Sequence, residues 1–366
     1  MNNKISKIQL GMILSLLICS MHLGLGDIIL LDKANNKVLI SMIIGTLIGF
    51  IPIIMYLKIN SILENKNIYE KNIKLFGKKI GFIFNIIIFI IHFFMLIISI
   101  KSIVIFITSK YLQDTPFLVS GLLVIITIII ISFCNIEGIA RTLQICFILS
   151  IIFMITVEIL LINYININNV FPIFTGNKII KEITCGALYF ASQTSILSFL
   201  LLTINKDKIN NKKNFNKTIV FFYLFGCIAL TFSMYFVVSS FGYNMALMFR
   251  YPEYIILKKI TLANTDLHLE NLLAFRWNFY MLTLGVISLY GIINLIKTYS
   301  NNRKINKRLI LIISFLSVVI SKYLFGTIID GIIFMKKYYV KYIASSIFIL
   351  FLIVFIRCLF VKKHSK

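Results

Sequence analysis

Residues 8–31 read IQLGMILSLLICSMHLGLGDIILL. Such a run is long enough to cross a bilayer, since a helix needs roughly 20 apolar residues to span ~30 Å of hydrocarbon. Near its end stands an interruption, Gly24, Leu25 and Gly26, between His22 and Asp27. Lipid offers no partner to backbone N–H and C=O groups, so unwound chain at that depth is tolerated only where protein buries it or where it lines a cavity. The stretch therefore predicts a membrane helix with a break near a site.

Nine further apolar stretches follow, near 38–57, 80–109, 116–134, 141–164, 179–204, 218–242, 270–296, 308–328 and 341–360. The expected fold is all-α and integral to the membrane, with ten transmembrane helices and residues 1–366 forming a single polytopic domain. A hydrophobic content of 59%, a charged content of 14% and a mean hydropathy of +0.95 agree with that class. The sixth stretch carries a second interruption, Ala191, Ser192, Gln193, Thr194 and Ser195. If ten spans divide five plus five, helices one and six correspond, and transporters built from inverted repeats place paired broken helices at such positions. Gly24, Leu25, Gly26, Ala191, Ser192 and Gln193 are thus the expected ligand-binding residues. The plainer reading is that small residues let helices pack closely.

A net charge of +24 would suggest nucleic acid in a soluble chain, but here it reads as orientation. Of the 37 lysines and arginines, 23 fall in alternate loops beginning with the N-terminus and 11 in the opposite set. Both termini are expected to be cytoplasmic, with the bilayer as partner and no nucleic acid. Lys4 and Lys7 before an apolar run resemble a signal peptide, yet no small-x-small cleavage site follows, so the run is expected to stay as a first helix. Six cysteines are scattered singly, without metal-ligand or redox spacing. Segment 61–79, SILENKNIYEKNIKLFGKK, interleaves apolar residues with lysines, as an amphipathic helix on the inner leaflet or a plain connector would. No phosphate loop, metal cluster or nucleophile elbow is present, so neither catalysis nor a cofactor is expected.

Five ionisable residues fall inside the apolar stretches: Asp27, Lys101, Glu158, Arg276 and Lys322. Each lies within roughly 6–12 Å of the outer end of its span, at about 1.5 Å per residue. Charges at that depth are costly and call for a partner or water. Asp27, Lys101, Glu158 and Arg276 form the expected outer charge network, with Arg276 pairing to Asp27 or Glu158. Lys and Arg can instead lift their heads to the interface, a route closed to the short acids. Glu137 and Arg141, spaced i,i+4, are expected to form a cytoplasmic clasp between helices four and five.

Several landmarks resemble a known family in order and spacing. Ile5, Ser6 and Gln9 resemble its opening Ile-Ser-x-x-Gln, and Ile68, Tyr69, Phe76, Gly77, Lys78 and Gly81 its amphipathic approach to the third helix. Leu112, Thr115 and Pro116 match a Leu-Pro-x-Thr-Pro pattern with Gln113 at the first proline. Asn135, Ile136, Glu137, Ile139, Ala140 and Arg141 match Gly-Ile-Glu-x-x-Ala-Arg with Asn135 at the glycine. Pro172, Tyr251–Pro252 and Leu269–Glu270 also fit. The chain resembles the permease-like B subunit of spore germinant receptors, a branch of the amino acid/polyamine/organocation transporter superfamily. It departs at Ser192–Gln193, where the family often has Gly-Glu, and at Asn271, where it often has arginine.

The resemblance implies a LeuT-like five-plus-five inverted repeat with helices one and six broken. It also implies a small-molecule germinant as ligand, A and C receptor subunits as partners, and the inner membrane of a bacterial spore as location. The alternative is an H⁺- or Na⁺-coupled amino acid transporter of the same fold, because fold does not fix function.

Overall fold

The computed structural model describes residues 4–22, 25–174, 176–258, 268–300, 306–325 and 328–364. Helix α1 (Lys7–Ser20) starts at a capping box, in which the Gln9 amide donates to Ser6 Oγ at 3.0 Å and the Ser6 amide to Gln9 Oε1 at 2.9 Å. These bonds satisfy two of the donors a helix start leaves free. Helix α2 (Leu25–Ala34) continues the first apolar stretch after the break, and α3 (Val38–Asn60) follows. Helix α4 (Ile68–Lys110) opens on a second capping box, Asn67 with Glu70.

Inside α4, Gly77 adopts φ 81°, ψ 172°. That region is open essentially to glycine alone, and there the amphipathic first turns fold back on the rest of the helix. The Asn72 amide donates to Asn85 Oδ1 at 2.9 Å, the Asn85 amide to the Tyr69 carbonyl at 3.1 Å, and Lys71 Nζ to the Ile59 carbonyl at 2.9 Å. The polar edge of segment 61–79 is thus bound by protein.

Helices α5 (Phe117–Phe133), α6 (Ile136–Leu161) and α7 (Ile179–Thr194) come next, and a 3₁₀ segment, Ser195–Thr203, prolongs α7. Then follow α8 (Phe215–Met248), α9 (Pro252–Lys258), α10 (Glu270–Tyr299) and α11 (Lys307–Tyr323). Helix α12 (Ile328–Phe334) passes through a π-helical stretch, Met335–Ala344, into α13 (Ser345–His364). Two short parallel strands, β1 (Ile5–Ser6) and β2 (Ile209–Asn210), pair Ile5 with Ile209 and Ser6 with Asn210.

Seven helical stretches among the described residues are long and apolar enough to cross a membrane, and α1 and α5 are shorter apolar helices. Their arrangement inverts the soluble pattern on the outer surface. On α6, Ile145, Ile148, Ile152, Ile155 and Ile159 are exposed at alternating spacings of three and four, one stripe of a helix facing outward. Ile43, Leu47, Ile51 and Ile54 do the same on α3. Such stripes suit hydrocarbon and not water, so the protein is an all-α membrane protein. Helix α10 and the α7–3₁₀ stretch are buried through most of their length and sit at the centre of the packing.

Candidate functional site

The first apolar stretch is interrupted between Ser20 and Leu25. Among the described residues one backbone bond, from the Asp27 amide to the His22 carbonyl at 2.8 Å, crosses the interruption. At Gly26 a side-chain β-carbon would sit 2.1 Å from the Met21 carbonyl oxygen, so only glycine allows the chain to close on itself there. Gly24 lies outside the described residues, and Leu25 is described by its backbone alone.

The second interruption takes a different form from the one expected. Ala191, Ser192 and Gln193 remain α-helical, and the change comes one turn later, where α7 tightens into 3₁₀ at Ser195. The hydroxyls explain how the chain keeps its polar groups satisfied. Ser192 donates to the Tyr189 carbonyl, Thr194 to Phe190, Ser195 to Ala191 and Ser198 to Ser195, at 2.7–2.9 Å. Back-bonding of this kind competes with the regular ladder and bends a helix without unwinding it.

The two interruptions meet. The His22 and Phe190 rings lie 4.8 Å apart. His22, Tyr189 and Gln193 are fully buried, yet among the described residues both imidazole nitrogens have no hydrogen-bond partner, and the Tyr189 hydroxyl and Gln193 amide have none but each other. Asp27 Oδ1 stands 3.6 Å from His22 Nδ1, beyond hydrogen-bond length. Tyr339, from the π-helical stretch, donates to the Ser192 carbonyl at 3.3 Å. Groups left unsatisfied in a native interior call for a ligand, an ion or ordered water.

Arg276, 2% exposed on α10, is the charge centre beside this region. Its Nη2 donates to Ser233 Oγ at 3.2 Å and pairs with Glu253 Oε2 at 3.5 Å, while Nε and Nη1 have no partner among the described residues. Asp27 and Glu158 feel the same guanidinium without touching it. The expected pairing of Arg276 with Asp27 or Glu158 is thus corrected to Glu253. That residue stands outside the apolar stretches, and Pro252 opens the short helix α9 that carries it inward. Burial pushes the Glu253 carboxyl up to about 7; Arg276 draws it down and Asp27 adds to the rise.

Two further expectations change. Lys101 leaves the network: its ammonium donates to the carbonyls of Ser321 at 3.1 Å and Phe325 at 2.8 Å, capping the end of α11, where a cation complements the helix dipole. Glu137 and Arg141 pair at 2.6 Å, but both belong to the first turns of α6, so they brace one helix and clasp no two.

Beside the first-helix break lies a cavity of about 700 Å³, including its open mouth. Met21 and Gly26 of the break, Ile98 and Lys101 of α4, Trp277 of α10 and Met335 of the π-helical stretch contribute its walls. Residues 191–193 do not. Tyr251 and Trp277 also line it, and both pack edge to face with each other and with Phe106 behind them, ring centres 4.6–6.0 Å apart. Trp277 is 5% exposed and its indole N–H has no acceptor among the described residues. Sequence reasoning missed Glu253, Tyr251 as a roof and Met335 as a wall. The one available signal was Tyr251–Pro252, a proline at the start of a helix next to an acid.

An all-α bundle with a polar break beside an internal cavity defines a multi-pass membrane protein with transporter-like features. The chain matches the family described as "Spore germination protein", a spore permease, over residues 4–329, and it belongs to that family. No curated protein matches it at a significant level. It is a permease-type spore germination membrane protein.

Proposed function

We propose that this protein is the membrane subunit of a spore nutrient germinant receptor, and that a small germinant occupies the cavity beside the first-helix break. The observation that carries this reading is a cavity walled by Met21 and Gly26 of the break and by the Trp277 indole, with further buried polar atoms on neighbouring elements, at His22, Arg276 and, Tyr189 apart, Gln193, that have no partner among the described residues. A cavity with apolar walls and a few convergent polar groups is the usual form of a small-molecule site. In this reading Gly24, Leu25 and Gly26 meet the ligand first, and Gly26 already lines the cavity. Ala191, Ser192 and Gln193 stand outside the cavity's walls in this structure and reach the ligand only when the site closes, Gln193 then donating or accepting.

The same reading takes residues 1–366 as one domain of ten spans, related five plus five, LeuT-like. The adjacency of the two interruptions supports it. Both termini face the spore core from the inner membrane, and A and C receptor subunits read the conformational shift. Asp27, Glu158 and Arg276, joined by Glu253, set the outer charge balance that the shift alters.

Deleting the gene and screening spores against a nutrient panel tests the function. Loss of response to one nutrient class, restored by the wild-type gene and not by Gln193→Leu at equal protein level, is the expected result. An unchanged response of the deletion strain to every nutrient would exclude the receptor role. Accumulation of a labelled amino acid in proteoliposomes of the chain alone, driven by an H⁺ or Na⁺ gradient, would favour the transporter instead.

A further inference from the structure

At the opposite, lysine-rich end of the bundle, a second cavity has mostly polar walls and a volume of about 490 Å³, including its open mouth. Three separate parts of the chain frame it. The turn Cys134–Asn135 leads into the N-terminus of α6, Lys208 comes from the segment after the 3₁₀ stretch, and Tyr290 and Lys297 come from the last turns of α10.

Four features of this cavity have the same sign. Helix α6 is 26 residues long, and Asn135 at its start makes no side-chain cap bond, so amide donors of the first turn stay open. Lys208 and Lys297 both line the cavity and feel each other's charge. Neither has a hydrogen-bonded or ion-paired partner for its ammonium among the described residues, whereas neighbouring Lys206 and Lys212 both pair with Glu64. Tyr290 is only 4% exposed, lines the cavity, and has no hydrogen-bond partner for its hydroxyl there. No acid lines the cavity; the nearby Glu137 is held by Arg141 at 2.6 Å.

Two like charges brought together without a counter-charge repel, and a helix N-terminus adds a partial positive charge. A group that offsets all of them must be anionic, compact and rich in acceptors. A carboxylate has one charge and two oxygens. A phosphate group has up to two charges and enough oxygens to meet two ammoniums, the Tyr290 hydroxyl and the open amides together. We propose that this cavity binds a phosphate group through Lys208, Lys297, Tyr290 and the N-terminus of α6. The bound group adds charge-assisted bonds between three chain segments that are otherwise joined by packing and by the hydrogen bonds Ser132 to Val286 and Asn294 to Thr203. This site is separate from the outer cavity and does not depend on the germinant reading.

The test uses the full chain in nanodiscs of zwitterionic lipid, titrated with inorganic phosphate at constant ionic strength against chloride. A saturable rise in thermal stability is expected. The double variant Lys208→Gln/Lys297→Gln should weaken phosphate binding by about tenfold or more, the scale of one lost charge-assisted hydrogen bond. Lys212→Gln, on the same surface but paired to Glu64, should leave binding unchanged.

Nanodiscs containing phosphatidylglycerol separate the two sources of the group. If the anionic lipid itself stabilises the wild type, and not the double variant, and abolishes the response to free phosphate, the headgroup is the ligand; if the response persists, the free ion is. Either result supports the site. Should the double variant fail to fold, acylation of lysines in the wild type read by mass spectrometry decides. Phosphate or anionic lipid must then slow labelling of Lys208 and Lys297 relative to Lys212. No stabilisation and no protection from either source, or equal effects in the double variant, overturns the proposal.

Discussion

One guanidinium faces three carboxylates from three helices. Arg276 touches Glu253 and lies in range of Asp27 and Glu158, all in a region that excludes most water. Removing one partner of a buried pair leaves an uncompensated charge, at a cost on the order of 3–5 kcal/mol. Arg276→Leu should therefore lower protein abundance sharply, and Glu253→Gln in the same chain should recover part of it. A double-mutant comparison should show coupling to Glu253 larger than to Asp27 or Glu158; fully additive effects at Glu253 would reduce the contact to coincidence.

The Glu253 carboxyl also sets a pH dependence. Its ordinary value is 4.5 and burial raises it to about 7 in the folded protein. Below the lower value both states are protonated. Between the two the unfolded chain has released its proton and the folded one has not, so stability falls as pH rises through that window and levels off above it. Arg276, Asp27 and Glu158 face the same carboxyl and share the balance. The melting temperature of the purified protein should decline across this range, and Glu253→Gln should flatten that part of the profile. Asp27, Glu158 and Arg276 were legible in the sequence because a charge inside an apolar run is conspicuous. Glu253 was not, because an acid in a loop looks solvated until a tertiary fold carries it inward.

At the scale of elements, hydropathy gave the apolar helices, and residue type gave the first-helix break. What it could not give was how a polar run in a helix resolves. In the first stretch α1 ends at Ser20 and α2 starts at Leu25, with Gly26 tight against the Met21 carbonyl. Ser-Gln-Thr-Ser carries hydroxyls that back-bond to carbonyls, and the chain only changes pitch. The two should respond differently to substitution. Gly26→Ala drives a methyl into the Met21 carbonyl, and overpacking of this kind costs about 1–3 kcal/mol and must reshape the break. Nutrient response should fall with Gly26→Ala more than protein level does, whereas Ser195→Ala, which removes one back-bond, should change both little. Gly77→Ala has open space for its methyl but an unfavourable backbone, about 1–3 kcal/mol. It should release the folded-back arm, read as faster proteolysis within 61–79; unchanged cleavage would mean the arm is held without the kink.

For the whole molecule, the charge asymmetry and the packing make a joint claim about sidedness. Strands β1 and β2 pair the segment before α1 with the segment after the 3₁₀ stretch, and Lys7 Nζ donates to the Lys213 carbonyl at 2.6 Å. The two strand segments, Cys134–Asn135, Lys208 and the end of α10 must then share one side of the membrane, the side that holds most of the lysines. Asp114, between α4 and α5, belongs on the other side if α4 and α5 both cross. Cys134 is exposed and supplies a natural probe. In right-side-out vesicles from vegetative cells, a membrane-impermeant thiol reagent should label Asp114→Cys and spare both Cys134 and Lys4→Cys until the vesicles are opened. Labelling of Cys134 and Lys4→Cys from outside would invert the protein. Labelling of the two from opposite sides would be incompatible with the strand pairing, and with it the ten-span arrangement in which an even number of crossings returns the chain to the side where it began.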